Sequence, residues 1–263
     1  MQVTSLGFRT DVALRVLEGA GITDRGDYLV VRTPGNPDFY WGNFLLLGAW
    51  PGPGTGDGWL ARFAAEFPQA RHVALGVDAA DEQAEMPGEF LAAGLEPERA
   101  TVLTCADLQA PPNRNSEAEI RPLASDDDWR QSLELGVRCY GEGGPYLERR
   151  TRGRRQLTEA GRAAWFGAFT GGRLLAQLGV CDAGGGLARY QDVETDPAAR
   201  RRGLAGTLVW RAGRYAREAL GASTLVIVAD PAEAAIRLYR ACGFADAQSQ
   251  FSFQRAPQGQ HRG

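Results

Sequence analysis

Arg200-Arg201-Arg202-Gly203-Leu204-Ala205-Gly206 is the stretch whose reading decides the fold. It follows Leu187 to Thr195, which reads as a strand, and the turn residues Asp196-Pro197. Behind it Leu204, Leu208, Ala212, Tyr215 and Ala219 recur at three- and four-residue steps, one face of a helix ending near Gly221. Glycine and small side chains let backbone N–H groups approach a ligand closely. A helix N-terminus just behind them adds unpaired donors and a partial positive charge. Three arginines beside that corner make it a seat for an anion, above all a pyrophosphate. A solvated basic turn is the plainer alternative for so short a string.

The downstream sequence separates the two. Thr224-Leu225-Val226-Ile227-Val228-Ala229 is a short run rich in β-branched residues that reads as a buried strand. A second helix opens at Asp230-Pro231 and contains Leu238-Tyr239-Arg240-Ala241-Cys242-Gly243-Phe244. Strand, anion-binding corner, helix, strand, then a helix carrying Leu-Tyr-x-x-x-Gly-Phe resembles the GNAT superfamily of acyl-CoA-dependent N-acetyltransferases. The resemblance covers about Ile120 to Gln254, with Arg200-x-x-Gly203-x-Ala205 standing where that family keeps its Arg/Gln-x-x-Gly-x-Gly/Ala pyrophosphate loop. It implies an α/β fold with a mixed central sheet flanked by helices, acetyl-CoA as the acyl donor, and a small-molecule or peptide amine as the acceptor. It further implies that strand 187–195 splays from its neighbour and that backbone near Val193 and Thr195 receives the pantetheine arm. Arg200, Arg201, Arg202, Gly203, Leu204, Ala205 and Gly206 would then hold the pyrophosphate. Tyr239 matches the family's usual general acid, and a phenol with a pKa near ~10 suits protonation of a departing thiolate. One position departs from the pattern: the family commonly has an asparagine seven residues before this tyrosine, where this chain has Ala232. Asp230-Pro231-x-Glu233 reads as a helix-capping box with Asp at the N-cap.

Strict alternation places Tyr190, Asp192 and Glu194 on one face of the strand and Gln191, Val193 and Thr195 on the other. A carboxylate on a buried strand needs a partner or a function. Glu194 is the first candidate for the general base and Asp192 the second; pairing with nearby arginines is the competing reading. The run Arg149, Arg150, Arg152, Arg154, Arg155 reads foremost as a solvated helix face or loop, with recognition of an acidic acceptor or of a 3′-phosphate as the alternative.

Composition removes several rivals. All 29 basic residues are arginine, so Schiff-base, pyridoxal and P-loop lysine chemistry are absent. The two histidines, His72 and His261, leave a zinc site or a histidine triad dependent on His72 alone, which sits in an apolar strand pattern. Cys105, Cys139, Cys181 and Cys242 are scattered and read as buried thiols of a reducing compartment. No segment has signal-peptide or membrane-spanning character, so a soluble cytoplasmic protein is expected, without a membrane partner. A net charge of -3 argues against nucleic acid. The halves differ: 15 acidic and 8 basic residues up to Asn115, 17 and 21 after it. The half with the arginine–glycine corner is the one whose field favours an anion.

Gln109-Ala110-Pro111-Pro112-Asn113-Arg114-Asn115-Ser116 reads as a linker. It separates a domain at 1–110 from the acetyltransferase-like domain at 117–256. The first half reads as a helix (Asp11 to Glu18), strands Tyr28–Arg32 and Asn43–Leu47, a helix from about Trp59, a strand His72–Val77 and a helix near Glu85–Ala93. Gly203 precedes Tyr239 by 36 positions, and Gly54 precedes Phe90 by the same 36. Phe90-Leu91-Ala92-Ala93-Gly94-Leu95 echoes the 239–244 segment, while Pro51-Gly52-Pro53-Gly54 replaces the arginine corner. The half thus reads as a second, degenerate GNAT-like copy whose cofactor loop has lost its cations and two amide donors; an unrelated α/β domain is the alternative. The aromatic string Phe39-Tyr40-Trp41 reads as packing. Acetyl-CoA-dependent N-acetylation is the leading function. The rivals are a non-catalytic acyl-CoA-binding or sensing module, motivated by Ala232, and aminoacyl transfer from charged tRNA.

Overall fold

The computed structural model describes residues 1–79, 86–141 and 143–256. In chain order its elements are α1 (Leu6–Leu17), β1 (Gly21–Asp24), β2 (Tyr28–Arg32), β3 (Asn43–Leu47), α2 (Gly56–Glu66), β4 (Val73–Val77), α3 (Gly88–Ala92) and β5 (Glu96–Cys105). There follow β6 (Glu119–Pro122), α4 (Asp126–Tyr140), α5 (Pro145–Glu159), β7 (Ala163–Thr170), β8 (Arg173–Gly184), β9 (Leu187–Thr195), α6 (Leu204–Ala219), β10 (Thr224–Ala229), α7 (Ala235–Ala241) and β11 (Ala245–Arg255). They form two compact units, Met1–Val102 with Gln248–Gly263, and Leu103–Ala247. Residues 103–116 therefore lie in the second unit and residues 248–256 in the first.

In the N-terminal unit β1, β2 and β3 pair antiparallel, β3 and β4 pair parallel, and β11 lies antiparallel on β4, Phe251 opposite Val77. β3 (NFLLL) and β4 (VALGV) are buried at every residue, as continuous apolar runs covered on both faces must be. One core gathers Phe63, Phe67 and Phe90 with Leu45, Leu47, Leu75 and Phe253; a second gathers Phe8 of α1 with Phe44, Leu46 and Ala74. The last strand of the chain belongs here because its apolar residues do: Trp50 lies 5.2 Å from Phe251 and 5.8 Å from Phe253.

In the C-terminal unit β6, β7, β8 and β9 pair antiparallel, and β10 is parallel to β9. Alternation along β7 assigns the layers. Phe166 meets Tyr215 of α6, and its neighbour Trp165 meets Arg154 of α5. The α6–α7 face holds the main core, with Leu204, Leu208, Ala212, Ile236 and Tyr239 against Leu178, Val180, Tyr190 and Leu225. α4 opens with a capping box: Ser125 Oγ accepts from Asp128 N–H, and Asp128 also binds Arg121 at 2.7 and 2.8 Å.

The expected strands at 28–32, 43–47, 187–195 and 224–229 appear with those bounds, and β4 begins one residue after His72. The helix expected near Glu85–Ala93 is α3, with Glu85 outside the described residues. Helix starts differ: α2 begins at Gly56 rather than near Trp59. α1 begins at Leu6 rather than Asp11. α7 begins at Ala235, because Asp230 Oδ1 accepts the Ala232 N–H at 2.8 Å in a local turn instead of capping a helix.

Candidate active site

The site starts from how β9 ends. β10 pairs with it only through Thr224–Val226 opposite Leu187–Arg189, while β9 runs on to Thr195. On its other edge Gln177 stands opposite Glu194 but Gly179 opposite Gln191, so Asp192 and Val193 face Leu178 alone, a β-bulge. Asp192 has φ 51°, in the left-handed region. The extra residue breaks the expected alternation. Tyr190 points to α6, donating its hydroxyl to Val209 O at 2.8 Å, whereas Asp192 and Glu194 both reach α5.

There the two carboxylates meet arginines of the 149–155 run. Arg154 Nη2 lies 2.9 Å from Asp192 and 3.1 Å from Glu194, and Arg150 also binds Asp192. Glu194 accepts further from Gln177 Nε2 at 2.6 Å and from the Tyr140 hydroxyl at 3.1 Å; Gln177 in turn accepts from Ser132. Tyr140 leaves its ring 40 % exposed and turns its hydroxyl inward, where burial and the Glu194 and Asp192 charges push the phenol above its ordinary range. The arginine run thus splits by helical position. Arg150 and Arg154, four apart, face the sheet; Arg155 pairs outward with Asp126 and Glu159 at 2.7 Å each. The spacing of two arginines matched to two acids on a strand was the available sign of this network; a solvated face describes only part of the run.

In the 200–206 corner Arg201 (φ 64°) and Gly203 (φ 75°) are left-handed. The first internal bond of α6 is Thr207 N–H to Gly203 O at 3.1 Å, so the Leu204, Ala205 and Gly206 amides precede the helix ladder. Arg200, Arg201 and Arg202 are exposed, with Arg202 3.1 Å from Glu117. The proline-rich stretch backs this loop. Asn113 O stands 2.3 Å from where a Cβ on Gly203 would lie, Asn115 Nδ2 donates to Arg202 O at 2.8 Å, and Asn115 N–H to Thr207 Oγ1 at 2.9 Å.

Tyr239 shares the core of α6 and α7 with Leu204 and with half-buried Val193; it is 5 % exposed, and burial first, then Glu233, pushes its phenol up. The cysteines are not poised as nucleophiles. Burial pushes Cys139 and Cys242 up to about 11, in each case as the leading cause. His72 is 4 % exposed, stacked on Tyr40 at 4.7 Å and bonded through Nε2 to Asn43 O at 2.9 Å; burial lowers its pKa, and it reads as a satisfied core histidine. Trp41 packs on Phe44 and donates to Gln254 at 3.0 Å. No cluster of His, Cys, Asp and Glu that could hold a metal occurs among the described residues, nor is any helix among them long and apolar enough to cross a membrane.

The β3–α2–β4 segment of the N-terminal unit is built differently. β3 and β4 pair from Leu45–Leu75 to Leu47–Val77, and Asp78 N–H continues the ladder onto Leu47 O at 2.8 Å, so these strands stay joined to their ends. Glu89 places its Cβ 2.7 Å and its Oε2 3.2 Å from where a Cβ on Gly56 would lie, at the start of α2.

Solved structures share this fold. A conserved Staphylococcus epidermidis protein of unknown function superposes with a TM-score of 0.69 at 13 % identity, over 89 % of this chain and 93 % of that one. A GCN5-related N-acetyltransferase from Kribbella flavida gives 0.61 at 15 %, over 98 % of each chain. A tandem GNAT protein from the clavulanic acid biosynthesis pathway gives 0.56 at 16 %, over 99 % of this chain and 91 % of that one. No curated protein matches. The model of the acetyltransferase (GNAT) family matches residues 105–244, and the chain belongs to that family.

Proposed function

We propose that this chain transfers an acetyl group from acetyl-CoA to the amine of a small molecule or peptide, at a single site in its C-terminal unit. The observation that carries the reading is the parting of β9 from β10 after Arg189, with the bulge at Asp192 and the loop 200–206 at its end. β9 backbone beyond Arg189 is released from β10 and can bond the amides of a pantetheine arm; Val193 and Thr195 are the residues assigned to it. The left-handed loop and the leading amides of α6 fit a pyrophosphate, with Arg200, Arg201 and Arg202 as its counter-charges.

In this reading the amine nitrogen attacks the thioester carbonyl, the C–N bond forms as the C–S bond breaks, and the thiolate takes a proton from the Tyr239 phenol. Burial keeps that phenol protonated, as a donor requires. Asp192 and Glu194 hold the acceptor side. The Asp192 side chain is 10 % exposed and that of Glu194 5 %. Each is bound by arginine, so a carboxylate taking the amine's proton must give up one of those bonds. Asp192, nearer the rim, is the better placed of the two to do so. The N-terminal unit, with β3 joined to β4 and Glu89 at the start of α2, is proposed as a second GNAT-like copy that binds no donor.

Calorimetric titration with acetyl-CoA tests the reading. One site per chain is expected, lost in Ala205→Asp, which puts a carboxylate among the α6 amides without disfavouring the helix. Absence of binding to the wild type overturns the reading; two sites overturn the assignment of the N-terminal unit.

A further inference from the structure

We infer that Arg154 is a positioning residue for the acyl donor: from inside the protein it ties α5 to the Asp192 bulge and so sets the β9 backbone that the pantetheine arm reaches. The inference rests on the acyl-CoA reading of this site and adds to it a residue of the 149–155 arginine run.

Arg154 is 3 % exposed. A buried guanidinium is costly unless paired, and it has five N–H donors with which to be paired. Nε and Nη1 of Arg154 have no protein partner among the described residues, and the bonds run from Nη2 alone, to Asp192 at 2.9 Å and Glu194 at 3.1 Å. Burial opposes its charge, and the two carboxylates outweigh burial. Its guanidinium carbon lies 5.8 Å from the centre of the Trp165 ring, and its bonds go to the two residues that flank Val193. Asp192 holds a left-handed conformation that a residue with a Cβ keeps only when its surroundings fix it. Arg150 fixes the same carboxylate, while Gln177 and Tyr140 fix Glu194. The bulge is therefore held by the helix pair, and Arg154 is the group common to both of its carboxylates.

The test removes the clamp without leaving a buried carboxylate unpaired, the net charge rising by one: Arg154→Met with Asp192→Asn and Glu194→Gln, asparagine being chosen because it tolerates the left-handed region. Binding of acetyl-CoA and of 3′-phospho-ADP, which carries the pyrophosphate but no pantetheine, is measured by calorimetry. The expected result is an acetyl-CoA Kd raised about tenfold, the weight of one or two misplaced backbone bonds, with the 3′-phospho-ADP Kd within about twofold of wild type because loop 200–206 is untouched. An unchanged acetyl-CoA Kd overturns the inference, and so does equal weakening of both ligands. Should the triple variant not fold, Arg154→Lys keeps the charge and shortens its reach; the same split between ligands is expected, and its absence overturns the inference equally. Wild type that binds neither ligand refutes the acyl-CoA reading itself, an outcome distinct from any result on Arg154.

Discussion

Replacing Gly203 with alanine should unsettle the C-terminal unit before any ligand is considered. The residue sits at φ 75°, where an L side chain costs about 1 kcal/mol. Its new Cβ would lie 2.3 Å from Asn113 O, a backbone atom that cannot swing aside as a side chain can. Residues 113–115 must retreat, and that retreat breaks the Asn115 bonds to Arg202 O (2.8 Å) and Thr207 Oγ1 (2.9 Å), worth about 1 kcal/mol each. The sum is about 3 kcal/mol, which for a unit of this size lowers the melting midpoint by about 6–12 °C. Scanning calorimetry of Gly203→Ala against wild type, without ligand, reads it directly. A shift under about 2 °C would refute the reasoning, since it would mean that segment 113–115 does not press on the loop. The same geometry makes Gly203→Glu unfit as a probe of cofactor binding: it cannot separate a lost ligand from a broken loop, which is why Ala205→Asp is the better variant.

Tyr239→Phe should lower kcat at least tenfold while leaving the acetyl-CoA Kd unchanged, read by coupled thiol release and calorimetry; an unchanged kcat removes the phenol from the chemistry. Burial raises the phenols of Tyr190, Tyr239 and Tyr140 above their ordinary 10, so in the folded state they stay protonated where the unfolded chain releases protons. Buried Cys139 and Cys242 act in the same direction from their ordinary 9, so stability should hold up to about pH 9 and fall as pH rises beyond it, which urea melts from pH 7 to 11 would show, with a shallower fall above about pH 10 in Tyr190→Phe. Asp128→Ala should cost about 2 kcal/mol by removing the Asp128 half of the α4 capping box and unpairing Arg121. The Arg121 bonds hold the Asp128 carboxyl well below its ordinary 3.8, so this contribution is present above about pH 4 and is lost as the pH falls further; urea midpoints of wild type and variant should converge in acid.

Most strands could be read from the sequence because continuous or alternating apolar runs have few other uses, and β3, β9 and β10 have the bounds that their runs imply. The loop 200–206 could be read because glycine, arginine and a helix start occur together within seven residues. What could not be read is what depends on partners distant in the chain. Alternation along β9 fails at Asp192 because the bulge inserts a residue, and no residue type in Gln191-Asp192-Val193 announces one. Arg154 differs in type from no neighbour in its run; only α5's orientation makes it interior while Arg155 pairs outward. Pro111 to Asn115 has a linker's composition, yet Pro111 lies 3.2 Å from where a Cβ on Gly206 would stand, and Asn113 closes on Gly203. Composition reports how a segment could behave in solvent; whether it packs is decided by what it meets.

The two units share one strand–helix–strand plan and differ in how its strands end. Both set two parallel strands side by side with a helix between them in sequence, β3–α2–β4 and β9–α6–β10. In the first pair the ladder continues to Leu47 and Asp78, so the two strands stay bonded where β3 ends. In the second it stops at Arg189, and a bulge with a left-handed aspartate turns the remainder aside. Opening a sheet leaves donors and acceptors unpaired, a loss that must be offset elsewhere in the protein. The Asp192–Arg150–Arg154–Glu194 network lies at that opening, and no counterpart carboxylate pair occupies β3, whose residues after Asn43 are all apolar. Glu89 in turn brings a carboxylate to the start of α2, where the second unit presents arginine-flanked amides. On this argument charged side chains on α5 hold β9 away from β10 beyond Arg189, and the first unit, with no such carboxylate pair on β3, keeps β4 bonded to the end of β3.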